Sequence, residues 1–401
     1  MLSESKSSYF IPNSKIFFVL LPIQPRFLRQ MNIHDIALSF VPGLGLKGAH
    51  HLLELFGSAE AIFRVSPEEL FARAQLHNRA VADALHSSAP LRCAEQELKY
   101  AEQRGIVPIA ITDPAYPKTL RECPDAPIVL YTMGNIEALH RPSVAFVGTR
   151  HMSAYGQRIA AKIIGQLKEL SPEVSIVSGL ALGNDGNAHR AALDCGAATV
   201  GVIANALPEV APATNQPLAD RILQNGGAIV TEISSQHKNT GKYFPSRNRI
   251  IAGLSSGTVV VESPYKGGSL ITADNAFDYG RVVMAIPGRA DDKTSYGSNL
   301  LIKQNKAAMV CSGGDIVHEL GWDVEVVNGT AYVPEPDSVE VVNLTADERR
   351  VLEAMRTGEV VDYDLLAERT GMPMGMVSAL MVSLELCGAV RLLPGKRCER
   401  V

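Results

Sequence analysis

At 401 residues the chain is too long for one ordinary compact domain and fits two or three. With 46% hydrophobic and 20% charged residues it has material for a packed core and lacks a disordered protein's composition. Its 38 lysines and arginines against 42 acids leave a net charge of −4, which excludes a polybasic binder but not a local cationic groove.

No run reaches the ~18 consecutive apolar residues of a membrane span. The nearest, Ile16–Leu21, is closed by Pro22 and Pro25 and followed by Arg26 and Arg29, with no small-residue cleavage site. Residues 1–30 are therefore expected to form a disordered extension, and Met31 opens the first amphipathic pattern. The six cysteines are scattered without C-x-x-C or paired-histidine spacing. That pattern predicts reduced thiols, a cytoplasmic protein and no metal site.

From Asn32 to about Ala110 apolar residues recur at helical spacing (Ile36, Ala37, Phe40, then Leu52, Leu53, Phe56), so residues 31–114 are expected to form a helical domain. Between its first two helices lies Val41-Pro42-Gly43-Leu44-Gly45-Leu46-Lys47-Gly48. Such a glycine hairpin is either a tight helix–helix turn or a helix-hairpin-helix element that aims backbone N–H groups at a phosphate. Adjacent His50 and His51 fall on different helix faces and receive no site.

Residues 115–325 alternate short β-branched runs with helical stretches: Ser143–Val147, Ser175–Val177, Ala198–Ile203, Ala228–Val230, Gly257–Val261 and Arg281–Ile286. Strands this apolar on both faces predict a doubly wound α/β domain with a mainly parallel sheet and ligands at its carboxyl ends. The first strand runs into Gly148-Thr149-Arg150, suited to close backbone approach and a phosphate at a helix start. The second ends at Ser178-Gly179, another glycine–hydroxyl turn; His189 beyond it reads as a packing residue. From His237 to Ser256 there is no acid, while Lys238, Lys242, Arg247 and Arg249 surround Tyr243 and Phe244. Cations interleaved with aromatics suit a single strand of nucleic acid, whose backbone follows the charge while its bases stack on rings. Gly268-Ser269 opens a further helix as another candidate phosphate turn. Glu262, just before it, has no second carboxylate, cysteine or metal set spaced to give it a reaction.

Residues 326–342 have linker composition around Val333-Pro334-Glu335-Pro336. Thr345 then caps a helix, a second fits Asp362–Arg369, a third Pro373–Leu386, and Ala389–Arg397 suits a two-stranded wing. This is a winged-helix pattern over 343–401. Its third helix is rich in methionine and holds no basic residue, which favours protein contact or core packing over reading DNA.

Phe146-Val147-Gly148-Thr149-Arg150, Ser178-Gly179-Leu180-Ala181, the run Phe244–Ser255 and Gly268-Ser269-Leu270-Ile271-Thr272-Ala273 occur in the order seen in the DprA/Smf family, which this chain resembles most strongly over 115–320. The resemblance implies an extended Rossmann-like domain flanked by a helical, SAM-like amino-terminal module and a winged helix. It implies a non-enzymatic, cofactor-free recombination mediator that binds single-stranded DNA, protects incoming strands and loads RecA during natural transformation, usually as a homodimer. Carried over by position, the DNA-binding candidates are Gly148, Thr149, Arg150, Ser178, Gly179, Lys242, Phe244, Arg247, Asn248, Arg249, Gly268 and Ser269. Two departures stand out: Gly183-Asn184-Asp185 has a polar residue where the family packs an apolar one, and Ala204–Pro208 lacks the family's glycines, so that loop is left out of the site. The rival reading, a Rossmann-like nucleotide hydrolase or phosphoribohydrolase, lacks its P-G-G-x-G-T-x-x-E motif.

Overall fold

The computed structural model describes residues 32–74, 78–237, 244–322, 344–356, 359–386, 389–393 and 395–400. The expected amino-terminal extension, the linker and Lys242 lie outside these residues. The chain divides into two compact units, Met1–Glu325 and Val326–Val401.

The first unit begins with short helices over Ile33–Ser39, Gly45–Phe56, Ala59–Arg64, Pro67–Ala74, Arg79–His86 and Ala89–Gln103. Asn32 caps the first by accepting the His34 N–H, and Gly43 and Gly45 turn the chain at φ +78° and +60°. The helical pattern expected to reach Ala110 stops at Gln103 instead, because Gly105 takes φ +66° and the next apolar residues form a strand. Ile36, Leu52, Ile62 and Leu70 bury their side chains in a core continuous with the sheet, so these helices pack as part of the α/β body.

Among the described residues that sheet has nine strands: β1 (Val107–Ala110), β2 (Val129–Gly134), β3 (Ser143–Val147), β4 (Ser175–Ser178), β5 (Ala198–Val202), β6 (Ala228–Thr231), β7 (Gly257–Val260), β8 (Val282–Ala285) and β9 (Ala308–Met309). Their order is β1-β2-β6-β5-β4-β3-β7-β8-β9; the β1–β2 and β2–β6 pairs are antiparallel and the other pairs parallel. Alternate residues of β3 feed opposite cores, Val144 and Phe146 on one face and Ala145 and Val147 on the other. The chain winds outward from β3 through β6, then returns to β3's other side as β7. The β3–β7 boundary is thus the topological switch point, where doubly wound sheets open a crevice at their carboxyl ends.

The second unit packs helices Ala346–Glu353, Tyr363–Thr370 and Met374–Leu386 against strands β10 (Val360–Asp362), β11 (Val390–Leu393) and β12 (Arg397–Arg400). Thr345 and Glu348 form a capping box at the first helix, and Gly371 at φ +67° ends the second. Of the third helix, Val377, Met381 and Leu384 are fully buried while Met376 and Val382 are exposed. Its methionine content therefore serves partly as core.

Candidate functional site

A pocket of about 310 Å³ opens at the switch point. The turn after β3 supplies Gly148, Thr149 and Arg150; the opposite wall, after β7, supplies Pro264, Gly267, Gly268 and Ser269. Gly148 is required by a packing contact, since a Cβ there would sit 2.9 Å from Asn184 Cγ. Asn184 is a clasp: its side-chain amide donates to the Phe146 carbonyl at 3.1 Å and its N–H to the Thr149 carbonyl at 3.1 Å. A polar side chain at this position ties the two turns together. The Thr149 N–H is spent on the Glu262 carbonyl at 2.8 Å, and its hydroxyl accepts the His151 N–H at 3.1 Å. Arg150 is exposed at the rim. Gly183, at φ +76°, lets the next turn press onto Arg150, whose carbonyl oxygen a Cβ would overlap.

Arg247 forms the inner wall and is only 5% exposed. Its guanidinium donates to the carbonyls of Gly179 and Val202, at the ends of β4 and β5, and faces Asp185. Burial raises the Asp185 carboxyl above its ordinary value while the Arg247 charge opposes the rise. Gly179 is a glycine because a Cβ would collide with Arg247 Nη1. Ser178 is fully buried and donates to the Phe146 carbonyl at 2.7 Å. Ser178 and Gly179 are thus scaffold behind the pocket. Arg249 also departs from its expected role: it is buried against Glu232, with Asp125 at 3.9 Å, and does not line the pocket. An acid at the end of β6 captures it.

Asn248 reaches the other wall, donating to the Gly268 carbonyl at 3.2 Å. The helix Gly268–Asp278 starts there, with Gly267 as an N-cap that makes no side-chain hydrogen bond. Its first-turn N–H groups and dipole therefore suit an anion. The Ser269 hydroxyl donates to Ser263 Oγ at 2.9 Å, fixing that turn. Phe244 begins the helix Phe244–Leu254, but its side chain, like Lys242, lies outside the described residues.

Two groups with catalytic potential are otherwise engaged. The buried Glu262 carboxylate accepts the Ser153 N–H at 2.9 Å and the Ser153 hydroxyl at 2.5 Å, anchoring the helix Ala154–Leu170. His189 is fully buried beside the Thr199 hydroxyl at 2.7 Å, and burial pushes its pKa down to about 3. The loop Ala204–Pro208 does not line the pocket; Asn205 closes it by donating to the Glu209 carbonyl at 2.6 Å. Among the described residues no group of three or more His, Cys, Asp or Glu is placed to hold a metal ion, and no helix is long and apolar enough to cross a membrane.

Asp185 and Glu232, the acids that hold the two arginines, escape sequence reasoning. Glu232 directly follows β6 while Asp185 lies in the first turn of the helix Asn184–Asp194, and each pairing spans different βα units.

Fold and site together define a Rossmann-like protein with a pocket at its switch point and a winged-helix second unit. The family model for DNA recombination-mediator protein A matches residues 108–321, and that for the DprA winged helix domain matches 334–396. The chain is 36% identical over 312 residues to Protein Smf of Escherichia coli K12, covering 77% of this chain and 81% of that protein. It is 41% identical over 210 residues to DNA processing protein DprA of Streptococcus pneumoniae R6, covering 52% and 73%. The X-ray structure of DprA from Streptococcus pneumoniae superposes with a TM-score of 0.57 at 32% identity, over 72% of this chain and 98% of that one. The chain belongs to the DprA/Smf family of DNA recombination mediators.

Proposed function

We propose that the chain binds single-stranded DNA in the switch-point pocket, protects incoming strands and delivers them to RecA, without catalysing a reaction itself. One observation carries this reading: the pocket sets an exposed arginine, Arg150, opposite an uncapped helix start at Gly268–Ser269. Both are suited to phosphate oxygens. The acid-free run His237–Ser256 enters the pocket wall at Arg247 and Asn248, so its lysines Lys238 and Lys242 are a short stretch of chain away. A confined pocket with few cations in its lining fits one flexible strand better than a duplex face. The engagement of Glu262 with Ser153 speaks against the nucleotide-hydrolase alternative. Homodimerisation through the α/β unit belongs to the same proposal.

The test is a fluorescence-anisotropy titration of a dT oligomer with the wild type, Arg150→Ala and Lys242→Ala. Each variant should bind at least about tenfold more weakly, and removing one phosphate-neutralising cation should flatten the log–log salt slope by about 0.7. Equal affinity of all three proteins refutes the pocket assignment. Delivery to RecA is read as faster filament assembly on strands covered by single-strand-binding protein; no acceleration refutes that step.

A further inference from the structure

Two exposed tyrosines flank the pocket without lining it. Tyr265 is 60% exposed and stands between the wall residues Pro264 and Gly267; Tyr296 is 50% exposed and is the first residue of the helix Tyr296–Lys303. Both follow the carboxyl ends of strands, β7 and β8 respectively, on the ligand side of the sheet. Their ring centroids are 5.5 Å apart at 78°, so one ring turns its edge to the other and keeps both its own faces clear of that partner.

The backbone beneath them is tightly held. The Gly297 N–H donates to the Ser263 carbonyl at 2.6 Å, and a Cβ on Gly297 would lie 2.5 Å from the Pro264 carbonyl oxygen. The same turn is braced by the Ser269–Ser263 hydroxyl contact at 2.9 Å. Large aromatic side chains left this open in water cost apolar hydration that a buried position would relieve. Lys266, exposed next to Tyr265, places a cation beside the pair.

We propose that Tyr265 and Tyr296 form a stacking platform for a nucleobase of the strand whose phosphate occupies the pocket. The proposal rests on single-strand binding at that pocket and assigns the platform the base-contacting part. Stacking on an aromatic ring is insensitive to base identity, because every base has a π-face. The platform therefore adds affinity for bases without adding sequence preference or phosphate contacts.

The test compares a dT oligomer with an abasic oligomer of equal length, by anisotropy, for the wild type, Tyr265→Ala, Tyr296→Ala and Tyr265→Phe. Each alanine variant should lose about fivefold or more in dT affinity, from ~1 kcal/mol or more per stacked base, and should bind the abasic polymer as the wild type does. Its salt slope should not change, and Tyr265→Phe should retain wild-type affinity. Unchanged dT binding by both alanine variants overturns the platform, as expected if the rings dock a protein, and so does equal weakening on both polymers. If the wild type binds and only Arg150→Ala weakens it, the platform fails while the pocket stands; if the wild type binds neither polymer, both fail.

Discussion

Replacing Arg247 by methionine tests how the pocket is held together. The substitution keeps an apolar stem and removes a guanidinium that is 5% exposed, donates to the Gly179 and Val202 carbonyls and faces buried Asp185. Removing one member of a buried pair leaves the other charge without compensation, at a cost of about 3–5 kcal/mol. For a folded unit of this size that corresponds to a fall in Tm of roughly 6–20 °C. The loss should depend on pH. Burial already raises the Asp185 carboxyl, and Arg247 opposes that rise, so methionine raises it further. A carboxyl raised in the folded state favours folding while protonated, and that contribution is lost as pH rises from the unfolded value through the folded one. The deficit of Arg247→Met should thus be smallest in acid and grow by up to about 1.4 kcal/mol per pH unit across that window. Adding Asp185→Asn should restore part of the stability and flatten the pH dependence. Thermal and urea unfolding of the wild type, the single variants and the double variant, at acidic and neutral pH, read all of this. Wild-type stability of Arg247→Met at neutral pH, or additive losses in the double variant, would refute the buried-pair reasoning.

Two further predictions concern residues away from the pocket lining. His189 is held neutral, its pKa depressed from 6.5 to about 3, so the unfolded chain takes up its proton first as pH falls. Its contribution is complete above pH 6.5 and is lost toward pH 3, at about 1.4 kcal/mol per unit, so the unfolding free energy of His189→Gln should decline less steeply than the wild type's in that range. Glu97, 2% exposed on the helix Ala89–Gln103, accepts the Ser235 N–H at 2.9 Å and its hydroxyl at 2.6 Å, just before the basic run. Glu97→Ala should cost about 1–3 kcal/mol in urea unfolding, and a double-mutant cycle with Ser235→Ala should show a coupling of about 0.5 kcal/mol or more.

Six of the parallel strands were readable as short apolar runs with β-branched residues, a pattern that local composition carries by itself, whereas the two-residue β9, with Met309 exposed, was not. The antiparallel edge was not. β1 contains Pro108 and directly follows a helical region, yet as an edge strand with a single neighbour it tolerates a missing N–H. The glycine and hydroxyl turns of the pocket were visible as strand-to-helix punctuation, but their purpose was not. Gly148 and Gly179 are small because Asn184 and Arg247 occupy the space, and both neighbours arrive from distant parts of the chain. Arg247 and Arg249 looked like a basic stripe because Asp185 and Glu232, the acids that pair with them, lie on other βα units. Charge along a sequence marks where a site is; which charges remain open to a ligand depends on tertiary pairing.

The most direct test of single-strand binding is the ratio of affinities for a dT oligomer and a duplex of equal length, measured at about 50 and 200 mM salt. The single strand should bind more tightly at both concentrations, with a salt slope matching a few phosphates at about 0.7 each. A duplex bound as tightly as the single strand, or binding indifferent to salt, would contradict a confined phosphate pocket for one flexible strand.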